Sequence, residues 1–340
     1  MKPALLPRLL ILCHCLVFAA CSRSSNEKAD STPTNTAPAA DNTFPVVVQL
    51  DWIPEPEHGG FFQAQARGWF AEAGLDVRID QGGANAFPMQ KLATNQANIA
   101  QADSTNVILA IAEGLPVVNI GAVFQNDPSV LMLHAENPIS SFAELDGKTI
   151  MARPEWAFLP YLRKKYDIDF NLIPQNFQVA NFIADRNFIQ QGFYIAEPFY
   201  IEQGGAQKPK FLYAWDAGFD AYTVICANKD WAARHPEQVR AFMAAYIRGW
   251  EDYLYGDPTP AHELMKQVNP RNTDAFLDYS RQMIIDEKLV IGRIGGGVEQ
   301  IGRVSAERFD VQIQQLEDLG ILRPAGKLSA DDVVTTRYLP

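Results

Sequence analysis

The stretch Val46 to Ile79, VVVQLDWIPEPEHGGFFQAQARGWFAEAGLDVRI, constrains the fold more than any other part of the chain. Val46, Val47 and Val48 are β-branched and apolar and predict a buried strand ending near Leu50. Pro54 and Pro56 forbid an immediate helix, so residues 51–58 form a loop. From Gly60 the pattern changes period: Phe62, Ala66, Trp69, Phe70 and Ala73 fall on one helical face, and Gly74 stops the helix. Leu75, Val77 and Ile79 then alternate as a second strand. A strand–loop–helix–strand unit of this kind predicts a parallel crossover. In such sheets ligands sit beyond the carboxyl ends of the strands. Asp51, Trp52, Glu55 and His58 lie there on a proline-stiffened loop.

The chain start has a different character. Lys2 and Arg8 precede an apolar run, Leu9 to Ala20, which is short for a bilayer span and has the layout of a secretory signal. It ends Phe18-Ala19-Ala20-Cys21, which resembles a bacterial lipobox and makes Cys21 the expected lipidated first residue of the mature protein. Residues 22–43 are rich in Ser, Asn, Thr, Pro and Ala and read as a disordered tether. Of four cysteines, only Cys226 remains in the mature body, within the apolar run Thr223–Ala227, and it reads as a small buried hydrophobe. Loss of Lys2 and Arg8 takes the formal net charge from −11 to −13. An acidic body without basic runs argues against nucleic acid as a partner.

The body alternates strand and helix. Ala86–Asn95 predicts a short helix, Asn98–Ala102 a strand, Asp103-Ser104 the cap of a helix reaching Glu113, and Val117–Phe124 another strand. The turn Gln81–Asn85 is placed to offer backbone N–H groups to a ligand. A second α/β block follows: strands at Val130–His134, Lys148–Ala152, Gly192–Ala196, Phe211–Trp215 and Tyr222–Asn228, with helices at Ser141–Leu145 and Trp156–Tyr166. Pro198 suits the first turn of a helix after Ala196-Glu197. From His235 the pattern is helical, with Val239, Phe242, Met243, Tyr246, Ile247, Trp250 and Leu254 on one apolar face. Further helices are expected around 260–268, 273–287 and 305–319, packing back on the first lobe. The chain then crosses between lobes near 124–130 and near 222–228, which predicts a hinge. The expected division is 1–20 signal, 21–43 anchor and tether, 44–126 with 229–340 as lobe 1, and 127–228 as lobe 2.

The runs LDWIPEPEHGGFFQAQARGWFAEAGLDV, AEGLPVVNIGAVFQNDP, FAELDGKTI, YIAEPFYIEQGG and ANKDWAARHPEQVRAFMAAYIRGWE occur in that order. Together they resemble the periplasmic solute-binding proteins for thiamine-pyrimidine precursors, part of a wider group that binds alkanesulfonates, taurine, nitrate and riboflavin. The resemblance covers residues 46–322. It implies an α/β, two-lobe type II periplasmic-binding fold with a hinge and an interlobe ligand cleft. It also implies a monomer that hands a small molecule to an ABC permease, with no cofactor, metal or catalytic residue. After GKTI, sulfonate-type members carry a Gly/Ser/Thr-rich turn for an oxyanion. Here Met151-Ala152-Arg153-Pro154-Glu155-Trp156 supplies a guanidinium, a carboxylate and an indole, which favours a flat polar heterocycle.

The candidate ligand residues are Asp51, Trp52, His58, Ser104, Asn126, Trp156, Glu197 and Tyr222. Trp52 offers a stacking face, though tryptophan is also a core residue. Trp156 is placed to close the stack from the other lobe. Glu197, at a strand end, can accept from an aminopyrimidine-type N–H edge. Glu55 and Glu57 flank prolines, and at least one is expected to be solvated. Gly295-Gly296-Gly297 lacks the context of a nucleotide loop, and His262-Glu263 lacks the second histidine of a zinc helix. A rival reading is an enzyme: fungal pyrimidine synthases resemble the same opening loop, and the resemblance implies an active-site histidine and lysine with a pyridoxal cofactor and a cysteine-rich segment. Gln63 and Gln65 occupy the helix where that lysine is wanted.

Overall fold

The structure, a computed structural model, describes residues 43–219, 221–293, 295–322 and 327–340. The expected signal over 1–20, the lipid anchor at Cys21 and the tether up to residue 42 lie outside the described residues. Among the described residues no helix is long and apolar enough to cross a membrane.

The first half builds one sheet from β1 (Phe44–Gln49), β2 (Leu75–Asp80), β3 (Ile99–Asp103) and β4 (Val117–Phe124). Its helices are α1 (Gly59–Ala66), α2 (Trp69–Glu72), α3 (Pro88–Ala93) and α4 (Ser104–Ala112). β1 pairs in parallel with β2 from Phe44 opposite Leu75 to Gln49 opposite Asp80, the crossover expected from the opening stretch. The single helix expected there is two: Gly68, at φ 75°, breaks it between α1 and α2 and leaves Ala66 exposed. The left-handed turn suits glycine.

The second sheet comprises β5 (Ser129–Leu133), β6 (Thr149–Ala152), β7 (Asn171–Pro174), β8 (Ile189–Phe193) and β9 (Lys210–Tyr213). Helices α5 (Phe158–Tyr166), α6 (Ala180–Ala184) and α7 (Glu197–Gln203) join them. The strand expected at Gly192–Ala196 is displaced toward the N-terminus, because Tyr194–Ala196 already turn toward α7. Neither β7 nor α6 was legible: β7 is an edge strand whose side chains are mostly exposed, so it carries no apolar alternation.

β10 (Thr223–Asn228) returns to the first sheet, antiparallel to both β3 and β4. Residues 223–228 therefore belong with the first sheet and not with the second lobe, and the boundary expected at 228 falls before Thr223. The sheet orders are β2-β1-β3-β10-β4 and β7-β6-β8-β5-β9. Each sheet thus has three parallel strands followed by an antiparallel one, β10 or β5, that arrives from the other sheet. The two connecting segments are tied to each other, with the Asp127 N–H donating to Ala221 O at 3.2 Å.

Six helices complete the chain: α8 (Lys229–Arg234), α9 (Pro236–Tyr255), α10 (Thr259–Val268), α11 (Asp274–Asp286), α12 (Ala306–Asp318) and α13 (Ala330–Val333). α9 packs on α1 at backbone contact. A Cβ on Gly249 would stand 2.2 Å from Gly60 O, and one on Gly60 would meet Trp250 at 2.3 Å, so both positions need glycine. Phe70 stacks on Phe242 at 5.0 Å and Phe61 lies 4.6 Å from Tyr246, in a fully buried apolar cluster. The later helices do not pack on the first lobe alone. Tyr200 of α7 meets Phe276 of α11 at 5.0 Å, and Gln315 of α12 donates to Gly218 O at 2.8 Å.

Candidate functional site

The loop after β1 is held from three sides. Gly82 N–H donates to Trp52 O at 2.7 Å and Gly83 N–H to Asp51 O at 3.1 Å. A Cβ on Gly82 would lie 2.3 Å from the Asp51 backbone, so glycine alone allows this approach. The N–H groups expected to face a ligand from the 81–85 turn are, at Gly82 and Gly83, consumed in fixing the loop. Pro54 O accepts from Asn272 at 2.8 Å, and Pro56 opens a 3-10 turn, Pro56–His58. The proline-rich segment is therefore a rigid shelf.

That shelf forms one wall of a cavity of about 540 Å³ between the two sheets. Asp51, Trp52, Glu55 and Glu57 line it from the shelf, Asp103 from the end of β3, and Asp127 from the first connecting segment. The second sheet contributes Arg153, Glu155, Gln191, Phe193 and Glu197, with Phe177 opposite the shelf. Trp52 and Phe177 touch across the gap at 4.7 Å with ring planes inclined by 43°. Phe177 (φ 57°) and Phe87 (φ 47°), the latter on the first lobe, both line the cavity in the left-handed region and are exposed. For a bulky residue this backbone costs roughly 1–3 kcal/mol, and such strain gathers at ligand clamps.

Burial raises the pKa of four of the wall's carboxyl groups. Burial, reinforced by Glu197, pushes Glu55 up to about 8. Burial pushes Glu197 to about 7, against the Phe193 N–H that donates to it at 2.7 Å. Asp127 rises to about 7 through burial and the neighbouring Asp103. Glu57, 4% exposed, is raised by burial and then by Asp51, Glu55, Glu197 and Asp127. At neutral pH such groups exchange between donor and acceptor, which suits a heterocycle edge carrying both functions.

Asp51, Glu57 and His58 bring one potential metal-ligand atom each within 4.8 Å of one another. The Glu55 N–H donates to His58 Nδ1 at 3.2 Å, which places the ring proton on Nε2. Nε2 then points that proton at Asp51 Oδ1, 3.3 Å away, and toward Glu57 Oε1 at 3.5 Å. A metal needs the lone pair on that nitrogen. The trio is a donor flanked by two acceptors and is a poor fit for a cation cage.

Of the sequence candidates, the structure brings Asp51, Trp52 and Glu197 to the cavity wall and places five elsewhere. His58 is fully buried behind Asp51 and acts on the wall through it. Ser104 is buried, donating to Gln312 at 2.6 Å, while its neighbour Asp103 faces the cavity and caps α4. Trp156 turns into the second core, 5% exposed and 4.9 Å from Phe158, because the helix it was expected to open begins only at Phe158. Tyr222 stacks on Phe309 at 5.5 Å and its hydroxyl accepts from the Ser305 N–H. Asn126, on the connecting segment, does not line the cavity; its neighbour Asp127 does. The expectation that Glu55 or Glu57 is solvated fails, since Glu57 is buried and both line the cavity. Phe87 and Phe177 carried no periodic signal; Asp127 stood between two predicted strands and was open to notice. Cys226 is fully buried at the Ala100 carbonyl, as expected.

The family profile described as NMT1/THI5 like matches residues 55–261. A riboflavin-binding protein, RibY, of Chloroflexus aurantiacus is 28% identical over 282 residues, 79% of this chain and 80% of that protein. A formylaminopyrimidine-binding protein of Halalkalibacterium halodurans is 27% identical over 230 residues, 65% and 70% of the two chains. A 4-amino-5-hydroxymethyl-2-methylpyrimidine phosphate synthase of Saccharomyces cerevisiae is 25% identical over 262 residues, 71% and 76%. Among solved structures, the periplasmic aliphatic sulphonate binding protein SsuA of Escherichia coli aligns with a TM-score of 0.63 at 12% identity, over 87% of this chain and 92% of that one. The two-sheet architecture is that of the periplasmic binding proteins. With the profile running over more than half of its length, the chain belongs to the NMT1/THI5-like family.

Proposed function

We propose that the protein is the solute-binding component of an ABC importer in the cell envelope. It receives a small planar nitrogen heterocycle of the aminopyrimidine type between its two sheets and delivers it to a permease without making or breaking a bond in it. The observation that carries this reading is the cavity itself: Trp52 offers an aromatic face beside carboxyl groups poised between neutral and charged. Stacking fixes the plane of a ring, and Glu197 and Asp51 fix its edge. The two tied connecting segments let the sheets close over the guest. The formylaminopyrimidine-binding relative supports this choice of ligand. A lipid on Cys21 and the tether beyond it would keep a monomeric body near its permease.

Riboflavin is the second reading, favoured by a cavity of about 540 Å³, which is roomier than a single ring needs, and by the RibY relative. Thermal-shift screening of the purified protein with aminopyrimidines, thiamine, riboflavin, taurine and nitrate tests both. A ligand at a hundred times its Kd adds roughly 2.7 kcal/mol to the native state. A shift with aminopyrimidines supports the first reading and one with riboflavin alone the second. A shift with taurine or nitrate alone overturns both. Chemical turnover of a bound pyrimidine would place the protein with its synthase relatives.

A further inference from the structure

Charge on the cavity wall is one-sided. Eight of the side chains that line it are Asp or Glu, and Arg153 alone is basic. Glu113 and Glu155 are exposed, and the other six come from separate parts of the fold: the shelf, the end of β3, the first connecting segment and the start of α7. They therefore converge on a common space and are not a solvated run along one surface. Glu57 is the most telling. It is 4% exposed, faces the cavity, and its nearest ion-pair partner is the His58 ring nitrogen at 3.5 Å, beyond an ordinary hydrogen bond. The basic groups near the wall do not balance it: Arg153 stands on the second sheet's side, and Arg271, which acts on Glu55, is not among the lining residues. Trp52 and Phe177, in contact with each other at 4.7 Å, add aromatic surface to the same wall.

Resting on the proposed binding function, we infer that the cavity selects guests that are cations or become cations inside it, and rejects flat neutral rings without a basic nitrogen. A neutral aminopyrimidine meets a carboxylic acid at Glu55 or Glu197. The carboxyl O–H bond breaks and a ring N–H bond forms, leaving an aminopyrimidinium against a carboxylate with no net proton exchanged. A guest with a fixed positive charge instead drives one carboxyl proton into solvent. The carboxyl groups are protonated at lower pH, so affinity for a fixed cation falls as pH falls through the range from 8 to 7. This separates guests that shape alone leaves equivalent, because the pyrimidinone that replaces the amino group by a carbonyl keeps the ring and loses the basic nitrogen.

Calorimetry on the intact protein, in two buffers of unequal ionisation heat, tests the inference. The probes are 4-amino-5-hydroxymethyl-2-methylpyrimidine, its 4-oxo counterpart, thiamine as a fixed cation, riboflavin and spermidine. The aminopyrimidine is expected to bind at least about tenfold more tightly than the 4-oxo ring, the worth of one charge-assisted bond. Thiamine binding is expected to release a proton and to weaken by up to about tenfold per pH unit below pH 7. Equal binding of the aminopyrimidine and the 4-oxo ring, or riboflavin binding alone, overturns the inference and leaves heterocycle binding intact. If no heterocycle binds, the proposed function fails. Spermidine binding would then uphold the preference for cations, and its absence would end both.

Discussion

The shelf at residues 51–58 and the helix that follows it, α1, are adjacent in sequence and opposite in construction. α1 is welded to α9 by glycine-to-backbone contact at Gly60 and Gly249, and its Phe61 is fully buried together with Tyr246 and Trp250 of α9. No residue of the shelf belongs to that buried apolar cluster. It is pinned by hydrogen bonds at Gly82, Gly83 and Asn272, and it carries carboxyl groups that repel one another. The first region spends its burial on rigidity. The second borrows that rigidity to hold an arrangement of charge that would not assemble unaided. Binding chemistry thus sits one turn away from the firmest packing in the molecule.

Breaking the rigid side gives the largest effect. Trp250→Ala empties a fully buried site and is expected to cost roughly 3–5 kcal/mol of stability, read by denaturant unfolding. Unfolding that matches the wild type would show that the seam is not the anchor. On the shelf side, Glu197→Ala removes a wall carboxylate and is expected to weaken aminopyrimidine binding by roughly 1.5–3 kcal/mol, with a smaller change in melting temperature. Trp52→Ala is expected to abolish measurable stacking-dependent binding while the protein stays folded, since its ring lies on the cavity wall. Collapse of the fold instead would make Trp52 part of the core.

The charged wall also predicts a pH dependence in the unliganded protein. Glu55, Glu197 and Asp127 keep protons in the folded state that they lose in the unfolded chain. Their neutral forms favour folding fully below about pH 4.5, and that contribution is lost as pH rises through 7 to 8. The melting temperature should decline from pH 6 to 9, and Glu55→Gln should flatten the decline; an unchanged slope would remove Glu55 from the account. The smallest effect is expected at Phe177. Phe177→Gly relieves a left-handed backbone and exposes little new core, so stability should change by less than about 1 kcal/mol, while a guest held against that ring should bind more weakly.

Local rules carried much of this fold into the sequence. β-branched runs marked β1 and β4, Asp103 announced the helix it caps, and the apolar face from Val239 to Leu254 became α9. β7 and α6 were hidden because an exposed edge strand and a five-residue helix leave no period to read. The site was legible where a residue stood on a strand end with one direction open to it, as with Asp51, Trp52 and Glu197. Trp156 and Tyr222 were misplaced because an aromatic beside a strand end satisfies core and cleft equally, and only tertiary packing decides. Glu57 was missed for the opposite reason. A carboxylate between a proline and a histidine defaults to solvent unless distant carboxylates, such as Glu197 and Asp127, share its enclosure.

The paired connections between the sheets have a mechanical consequence. Because Asp127 is hydrogen-bonded to Ala221 and the neighbouring Gln125 is clamped by the carbonyls of Leu289, Gln300 and Arg303, the second sheet hangs on two pins set side by side. Adjoining pivots of this kind resist twisting, and any swing about them must also release the contacts that α11 and α12 make with the second lobe. A docking partner would then meet one door at varying angles of opening, and could judge whether the room behind it is occupied from that angle alone.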